Sequence, residues 1–409
     1  MITLSVSQAQ QQIQSAILPI TETEQIELKH ALNCITADNI IAPMNVPAFD
    51  NSAMDGYAFC AQDLASHTQL SIVGTAYAGH PYSTPMQTGQ AIRITTGAKM
   101  PERCDTVLPQ ELAVLVNENT LDMRNINVHA GQHRRRCGED LKMADIAIAK
   151  GCRLNPAESG LLASLGIAKV NVQRQLRVAL FSTGDELRSV GQQLDDGCIY
   201  DSNRVTLHSM LTRFGAEVID LGILADNPAE LKSALKNSAP QMDAIITSGG
   251  VAGGAADYTK QVMQELAEMT FMSINMRPGR PFAFGKMTSS NGNTFLFGLP
   301  GNPVAVMVSF YFFVRPALQL LGGEQVSVPI PINAIATQRI PKKIGRTEFQ
   351  RGICNVTEQG KLQVSIAGEQ GSGILSSMSH ANCMVVLKSE QGDIETGDAV
   401  QLILFEGLT

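Results

Sequence analysis

The sequence predicts a multidomain protein of the α/β plus β class, whose largest part is a doubly wound, mostly parallel sheet. Three observations support this. Apolar runs alternate with helical segments from 177 to 269, as in a parallel sheet with crossover helices. Short apolar runs separated by Gly, Pro and Asn fill 69–145, and strand-like texture returns after 326. The 409 residues are too many for one simple core.

The N-terminal part begins with helical spacing in 5–18, introduced by a serine, and continues with a strand and a short helix in 21–35. A Pro-punctuated stretch then leads into the strand-and-turn segment, which we interpret as a β-rich hairpin module. Helical spacing returns after it, with Asn155 as the predicted N-cap and Pro156 at the first helical position.

The elements from 177 onward follow one another regularly. "RVALFST" predicts a buried strand, "DSNRVTLHSMLTRF" a capped helix that stops at Gly215, and "AEVIDLGIL" a second strand. "NPAELKSALKNSA" and "DYTKQVMQELAEM" predict helices on either side of a third strand, "MDAIITS". From 326, turns such as "TEQGK" and "SEQGD" separate the strands of a small C-terminal β-domain.

Composition and charge narrow the possible functions. Apolar residues make up 44% of the chain and charged residues 17%, which is ordinary for a folded soluble protein. The 31 basic and 38 acidic residues give a net charge of −7, which argues against nucleic-acid binding, because that requires a basic surface. A local basic site for an anionic small molecule remains compatible with this balance.

Cysteine usage and apolar segments predict the location. Eight cysteines are scattered from Cys34 to Cys383 without a Cys-x-x-Cys pair, which disfavours a zinc site and fits a reducing cytosol. No basic-then-apolar leader opens the sequence, and no uninterrupted apolar run reaches 18 residues. We therefore expect a cytoplasmic protein that does not enter a membrane.

Two glycine-containing loops, "STGDEL" and "SGGVAGG", leave predicted strands on the same side of the sheet, where ligands bind in such folds. Glycine lets backbone N–H groups approach an anion, so both loops are candidate phosphate cradles, with Glu186 holding a divalent cation. Two alternatives stay open: Asp185 caps the next helix, or the glycines simply form turns. Neither loop carries a P-loop or a dinucleotide fingerprint.

Arg277 and Arg280 flank a stiff Pro-Gly turn, which restricts the movement of both cations. Guanidinium groups match tetrahedral oxyanions through paired hydrogen bonds, although a pair of solvated surface charges is the alternative. The neighbouring "FLFGLPGNPV" favours a site, because it brings Pro300 and Pro303 to the same sheet edge in a rigid turn before a helix.

Two further stretches lie in the β-rich module and are ambiguous on their own. Asp55, in "FDNSAMDGYA", is compatible with a simple turn. The three arginines 134–136 are typical of a solvated face, or they pair with Glu139 and Asp140.

Taken in order, these motifs resemble those of the molybdopterin molybdenumtransferases, the molybdenum insertases related to the gephyrin E domain. The matching stretches span 46–352, and a final "GSGILSS…ANC" also fits. They are "VPAFDNSAMDGYA", "IRITTGA", "RRRCGED", "RVALFSTGDEL", "IYDSNR", "SGGV…ADYT", "RPGRPFAFGK", "GLPGNPV" and "EFQRG".

The resemblance implies four domains: an extended N-terminal helical domain (1–45 with 141–173), the β-rich module (46–140), an α/β domain of the molybdopterin-binding type (174–325) and a small C-terminal β-barrel (326–409). It implies a homodimer, with the active cleft between the α/β domain of one subunit and the β-rich module of the other. The family reaction uses adenylylated molybdopterin, with a molybdopterin adenylyltransferase as the upstream partner. Molybdenum from molybdate passes to the dithiolene with Mg²⁺ present, and AMP is released.

The resemblance also implies site residues by motif position. Catalytic roles fall on Asp55, Asp140, Glu186, Asp226 and Asp257, with Glu186 and Asp257 as Mg²⁺ ligands. Substrate-binding roles fall on Thr96, Arg135, Thr183, Gly184, Ser248, Gly249, Gly250, Arg277, Arg280, Pro300, Pro303 and Ser372. For Asp226 and Asp257, helix capping is the open alternative.

The sequence departs from the family pattern mainly around the oxyanion. The loop 252–255 reads Ala-Gly-Gly-Ala where the family has a hydroxyl and an acid, and Arg277 and Arg280 replace lysines. Ser273 replaces an upstream lysine, and Ala305 a common serine. Arginine keeps the charge of lysine but differs in reach and geometry.

Three hypotheses follow from the motifs and these departures. The first is a working insertase, with the usual or a changed oxyanion preference. The second is a catalytically altered paralogue that binds the pterin or serves as a scaffold. The third is an enzyme acting on another phosphoanhydride, such as a nucleotide.

Overall fold

The computed structural model describes residues 3–250, 258–289, 292–326 and 329–405. Their contacts divide the chain into two compact units. The α/β–barrel unit contains Met1–Glu24, Asn33–Ala37 and Val172–Thr409, and the β-rich unit contains Gln25–Leu32 and Asp38–Asn171. The boundaries of the four domains implied by the sequence stay a prediction.

The described residues form the following helices and strands. The α-helices are α1 Val6–Ser15, α2 Pro156–Ser164, α3 Ser202–Phe214, α4 Pro228–Ser238, α5 Tyr258–Leu266, α6 Pro303–Ser309, α7 Arg315–Leu321 and α8 Ser376–His380. The strands before α2 are β1 Thr3–Leu4, β2 Thr23–Glu27, β3 Ile40–Ile41, β4 Asn51–Ser52, β5 Gly56–Phe59, β6 Gln69–Ala76, β7 Gln90–Ile94, β8 Thr106–Pro109, β9 Val114–Asn117, β10 Thr120–Asp122, β11 Arg134–Arg135 and β12 Ile146–Ile148. The strands after α2 are β13 Lys169–Gln173, β14 Arg177–Thr183, β15 Leu187–Arg188, β16 Ile199–Tyr200, β17 Glu217–Leu224, β18 Ala244–Ser248, β19 Glu268–Ile274, β20 Met276–Arg277, β21 Pro281–Ser289, β22 Gly292–Leu299, β23 Ile332–Ala336, β24 Thr347–Val356, β25 Leu362–Ile366, β26 Cys383–Leu387 and β27 Ala399–Leu404.

The main sheet of the α/β–barrel unit has seven strands in the order β1-β19-β21-β22-β18-β14-β17. All neighbouring pairs are parallel except the two pairs made by β21. Six strands therefore run in one direction and one runs against them. The predicted mostly parallel sheet is confirmed.

Helices cover both faces of this sheet, because its central strands are apolar on both sides. Along β14, Val178 and Leu180 join one hydrophobic core, whereas Ala179 and Phe181 join another. The first core also contains apolar residues of α1, α3, α6 and α7, and the second contains those of α4 and α5. Successive strand residues point to opposite faces, so this pattern produces the doubly wound arrangement.

Side chains cap the helices largely where the sequence predicted. Ser5 and Asn155 each form a capping box, at α1 and α2. α3 starts at the Asp201 cap and ends at Gly215 in the left-handed conformation. The alternative role of Asp185 as a cap was wrong, because β15 and not a helix follows it.

The β-rich unit is organised around a six-stranded sheet in the order β8-β5-β7-β6-β10-β9. β6 and β7 pair in parallel, and the other neighbours are antiparallel. The strands are therefore not a plain succession of hairpins. Two-stranded ribbons, β4 with β11 and β3 with β12, complete the unit.

The C-terminal strands close into a barrel. β24, β25, β23, β27 and β26 pair in that order, and β26 returns to β24. β20 adds to β24 from outside, with Arg277 opposite Glu348. The predicted small β-barrel is confirmed, and β20 ties it to the chain that leaves the main sheet.

One described segment is long and apolar enough to cross a membrane by length and composition, which sequence inspection did not single out. It is Pro303–Leu321, and 78% of its most apolar 18-residue window is buried within the protein. Phe313 packs on Phe282 of the sheet with ring centroids 5.2 Å apart. Burying each such side chain contributes about 1.5–3 kcal/mol, so the segment's apolar character is explained by its place in the core.

Replacing Asn155 with Ala should loosen α2, because the Asn155 side chain accepts hydrogen bonds from the N–H groups of Ala157 and Glu158. Loss of an N-cap costs about 1 kcal/mol, which corresponds to roughly fivefold faster amide hydrogen exchange in 156–164. Exchange followed by mass spectrometry reads this local change. Asn155→Asp keeps the acceptor and should exchange like the wild type; unchanged exchange in Asn155→Ala would show that the cap does not hold this helix.

Candidate active site

The carboxyl ends of four parallel strands meet at one edge of the main sheet. The register pairs Thr183 of β14 with Leu224 of β17, and Ser248 of β18 with Leu299 of β22. Ser182 of β14 also pairs with Ser248. The four strands therefore end at the same level along the strand direction, and the loops that follow them leave the same edge of the sheet. They include the two glycine loops and the "GLPGNPV" turn that the sequence placed at strand ends.

At the end of β14, the Glu186 side chain folds back over Gly184. A Cβ atom at position 184 would lie 2.6 Å from Glu186 Oε2, so glycine leaves the room that this carboxylate occupies. Thr259 Oγ1 donates to Thr183 Oγ1 at 3.5 Å beside the same strand end. The fold thus brings one carboxylate, that of Glu186, and the hydroxyls of Thr183 and Thr259 to the end of β14.

In the second glycine loop, which begins at Ser248, some of the polar groups make hydrogen bonds within the protein. Gly249 N–H donates to Leu299 O at 3.1 Å, and Ser248 Oγ lies 3.1 Å from Ser182 Oγ. The Gly249 amide is therefore engaged by the sheet and does not face an anion. Gly250 lies directly against Thr259. Residues 251–257 lie outside the described residues, and with them Asp257 and the altered loop 252–255.

Asp226 lies just beyond the end of β17, the neighbour of β14. It is half-buried, and it is not the cap of α4. Asn227 takes that role by accepting hydrogen bonds from the N–H groups of Ala229 and Glu230. The capping alternative for Asp226 was therefore wrong, and Asp226 joins Glu186 on the acidic side of this sheet edge.

An arginine pocket of about 450 Å³ lies further along the edge. The structure brings predicted residues from three segments into it: Arg277 and Arg280 from one turn, Pro300 and Ser372. Pro303 starts α6 directly behind this cavity. None of the described residues that line the pocket is acidic, and three are arginines, so the cavity is strongly positive.

The turn that carries Arg277 and Arg280 packs against α6. Gly279 adopts φ +95° and sits so close to α6 that a Cβ atom there would lie 2.9 Å from Ser309 Oγ. On the far side, Val304 N–H donates to Ser372 O at 3.1 Å. The arginine pocket is therefore a fixed cavity whose walls come from the sheet, α6 and the barrel.

Sequence reasoning missed a third arginine of the pocket, Arg346. It lies between Gly345 and Thr347, and both neighbours bind Asn275: Asn275 Nδ2 donates to Gly345 O at 2.6 Å, and Thr347 N–H donates to Asn275 O at 3.1 Å. The only sequence signal was its position just before "EFQRG", about 70 residues from the turn it joins.

A second cation that the sequence did not assign lies close by. Arg351 is 1% exposed, and it donates to Ser377 Oγ at 2.9 Å and to the carbonyls of Glu369 and Gly371 at 3.1 Å. Burial, followed by the nearby charge of Arg277, lowers the pKa of Arg351 to about 10. It remains protonated at neutral pH, so it adds positive charge to this region.

The acidic and basic groups are separated along the sheet edge. β18, β22 and β21 follow β14 in order, and Arg280 directly precedes β21. Three strand spacings of about 4.8 Å place the arginine side about 14 Å from Glu186 and Gly184. The edge therefore has an end with oxygen ligands that suit a cation and an end with guanidinium groups that suit an anion.

The β-rich unit contains a second cluster, built on Asp55. Thr96 donates to Asp55 Oδ1 from its N–H at 2.6 Å and from its hydroxyl at 2.7 Å. The Thr96 N–H, then the Thr96 hydroxyl, lower the pKa of the exposed Asp55 carboxyl below its ordinary value. Asp55 is therefore a fixed, ionised carboxylate at neutral pH.

Arg135 and Asp140 lie on the chain segments beside this cluster. β11 pairs with β4, so that Arg135 lies opposite Asn51, and Ser52 O accepts the Gly97 N–H from the other side. Asp140 is exposed, and its N–H donates to Val46 O. The three arginines do not simply pair with Glu139 and Asp140, because Arg134 pairs with Asp50 at 2.5 Å.

The donor atoms at the β14 end suit a hard cation. Glu186 and Thr183 offer only oxygen, which is what Mg²⁺ prefers. Within the described ranges, no cluster of three His, Cys, Asp or Glu side chains forms a metal cage. The site therefore fits Mg²⁺ held by one or two carboxylates together with substrate phosphates. The individual roles of the site residues stay predictions.

The fold and this edge define a class of protein: one that binds an anionic small molecule at the carboxyl ends of the strands of a doubly wound sheet. Family models match almost the whole chain. They are the MoeA N-terminal region (domain I and II) over 4–166, a probable molybdopterin binding domain over 179–320 and the MoeA C-terminal region (domain IV) over 333–405. The chain belongs to the molybdopterin molybdenumtransferase family.

Relatives and solved structures agree along the full length. The chain is 43% identical to the molybdopterin molybdenumtransferase of Haemophilus influenzae, covering 99% of both chains. It is 32% identical to that of Bacillus subtilis, covering 94% of this chain and 90% of the relative. The structure of a molybdopterin biosynthesis moeA protein from Pyrococcus horikoshii superposes with a TM-score of 0.82 at 27% identity, covering 98% of this chain and 100% of that one.

Thr96→Val should raise the pKa of Asp55 towards its ordinary value, because one of the two hydrogen bonds that stabilise the carboxylate is lost. In the wild type, Asp55 should stay ionised to a lower pH than an ordinary aspartate, since both hydrogen bonds from Thr96 lower its pKa. Carbon NMR of labelled aspartate carboxyls measures both values. Thr95→Val is the matched control, because the Thr95 hydroxyl accepts from Ala78 N–H instead. Equal Asp55 titration in all three proteins would contradict this role of Thr96.

Proposed function

We propose that this chain is a transferase of molybdenum cofactor biosynthesis that inserts molybdenum into molybdopterin. The supporting observation is the pairing of two chemistries on one sheet edge. A carboxylate and hydroxyls lie at β14, and an arginine pocket whose described lining residues include no acid lies three strands away. Such an edge suits a substrate that carries phosphates at one end and reacts with a tetrahedral oxyanion at the other. The names of its relatives, molybdopterin molybdenumtransferases, agree with this reaction.

The proposed first substrate is adenylylated molybdopterin, which a molybdopterin adenylyltransferase would supply. Its phosphoanhydride lies at the β14 and β18 ends, where Thr183 donates a hydrogen bond and Glu186 holds a divalent cation. Mg²⁺, when bound there, supplies charge that offsets the phosphate oxygens. Attack of a water molecule breaks one P–O bond of the anhydride, releases AMP and leaves the other phosphate on the pterin.

The proposed second substrate is molybdate, bound in the arginine pocket. Arg277 and Arg280 present planar N–H forks to its oxygens, and Arg346 adds a third positive charge. Among the described residues that line the pocket there is no acid, so the three guanidinium charges attract a dianion. Two Mo–S bonds then form to the dithiolene sulfurs as one Mo–O bond breaks. The released oxygen leaves as water with the two thiol protons, and the other oxygens stay on the metal beside the arginines.

We propose that the protein works in the cytoplasm as a homodimer, with the Asp55 cluster of one subunit completing the Glu186 site of the other. Two observations support a composite site. The predicted catalytic acids fall in two compact units, Asp55 and Asp140 in one and Glu186 and Asp226 in the other. Each cluster also leaves an exposed carboxylate for a substrate, Asp55 in one and Glu186 in the other.

Incubation of the protein with adenylylated molybdopterin, Mg²⁺ and molybdate should release AMP and produce active molybdenum cofactor. Glu186→Gln should lower the rate about 100-fold or more, because it removes the charge beside the reacting phosphates. The rate is measured by chromatography of the released AMP. The control variant Asp185→Asn changes the adjacent exposed acid and should keep the wild-type rate. Tight pterin binding without AMP release would favour a storage or scaffold protein, and turnover of nucleotides alone would favour the third hypothesis.

Mixing Asp55→Asn protein with Glu186→Gln protein should restore part of the activity. Random exchange makes half of the dimers hybrids, and each hybrid has one of its two clefts intact, so about a quarter of wild-type activity is expected. The AMP assay measures the recovery, and mass spectrometry of the intact dimers confirms exchange. Exchange without recovery would exclude the shared cleft.

A further inference from the structure

The guanidinium of Arg280 is anchored by the strand beside it. Arg280 Nε donates to Ser273 Oγ at 3.0 Å, and Ile274 N–H donates to Arg280 O at 2.7 Å. Ser273 and Ile274 are both buried at the end of β19. Two consecutive residues of one strand therefore hold both the main chain and the side chain of Arg280.

The hydrogen bond at Nε has a directional consequence. A guanidinium is planar, so fixing Nε and the main chain fixes the plane of the group and leaves the two terminal nitrogens for the cavity. Arg280 lines the arginine pocket, whereas Ser273 does not. Ser273 therefore influences a ligand in the pocket indirectly, and Arg280 is the pocket residue that its hydroxyl contacts.

We propose that Ser273 is a positioning residue that sets the affinity of the arginine pocket for tetrahedral oxyanions. This inference rests on the proposed function of the pocket and adds a specificity-determining residue to it. Ser273 and Arg280 act as a matched pair. A lysine at 280 would keep the charge but has no nitrogen midway along its side chain for the Ser273 hydroxyl to hold.

The hydrogen bond to Arg280 also gives the buried Ser273 hydroxyl a function. Holding Arg280 in one orientation removes rotamer freedom before the ligand arrives, so that less is lost on binding. An arginine without this anchor keeps its charge but loses the fixed fork that matches two oxygens of the oxyanion.

The test measures binding of molybdate alone to the full chain by isothermal titration calorimetry at low ionic strength. Ser273→Ala should weaken binding about threefold to tenfold, which is the effect of one hydrogen bond expressed as affinity. Ser273→Thr keeps a hydroxyl and should retain most of the wild-type affinity for molybdate. Thr270→Ala, which removes a hydroxyl from the same strand away from the pocket, should bind like the wild type.

The double mutant separates positioning from a general structural role. In an Arg280→Lys background, Ser273→Ala should have no further effect on molybdate affinity, because the partner of the hydroxyl is gone. If Ser273→Ala weakens binding equally in both backgrounds, Ser273 acts on the strand and not through Arg280, and the proposal is overturned.

The outcome can be distinguished from failure of the proposed function. In the transfer assay, Ser273→Ala should raise the KM for molybdate and leave kcat nearly unchanged, since the phosphate end of the site is untouched. A wild-type protein that releases no AMP but binds molybdate with this Ser273 dependence would reject the proposed function alone. A wild-type protein that does not bind molybdate would overturn the present inference. The AMP assay would still test whether the protein has the proposed transferase activity.

Discussion

The parallel register of β14, β18 and β22 is the constraint on which the site depends. Ser182 lies opposite Ser248, and Ser248 lies opposite Leu299, so three strands end level with one another. A slip of one residue would move a loop by about 3.3 Å, more than a hydrogen bond tolerates. The acids, the glycine turns and the arginine turn share one edge because this register is fixed by cores on both faces of the sheet.

The second constraint is the accumulation of positive charge around Arg277 and Arg351. Arg351 is almost fully buried and has only neutral acceptors in the hydrogen bonds described for it, and Arg277 lies near enough to lower its pKa further. A buried cation without a carboxylate is unfavourable by itself. Ser377 Oγ and the carbonyl oxygens of Glu369 and Gly371 accept hydrogen bonds from the guanidinium and offset part of this cost.

Local patterns predicted the elements well and their contacts poorly. The caps at Ser5 and Asn155, and the stop at Gly215, are local hydrogen-bonding features, so short stretches were enough to find them. Asp185 was interpreted as a possible helix cap because an acid after a strand is ambiguous until the next element is known. Gly249 looked like a free anion donor, but its N–H bonds to Leu299, about 50 residues away in the sequence.

By itself, the sequence determined the fold class and the identity of the charged motifs, because periodicity, turn chemistry and motif order are written along the chain. Only the tertiary structure decided which charges meet. Arg346 reaches the pocket through Asn275, and Ser273 holds Arg280 across a strand pair, although neither contact has a local signature. These partners are specified by strand register and by packing between distant segments, which no short stretch of sequence encodes.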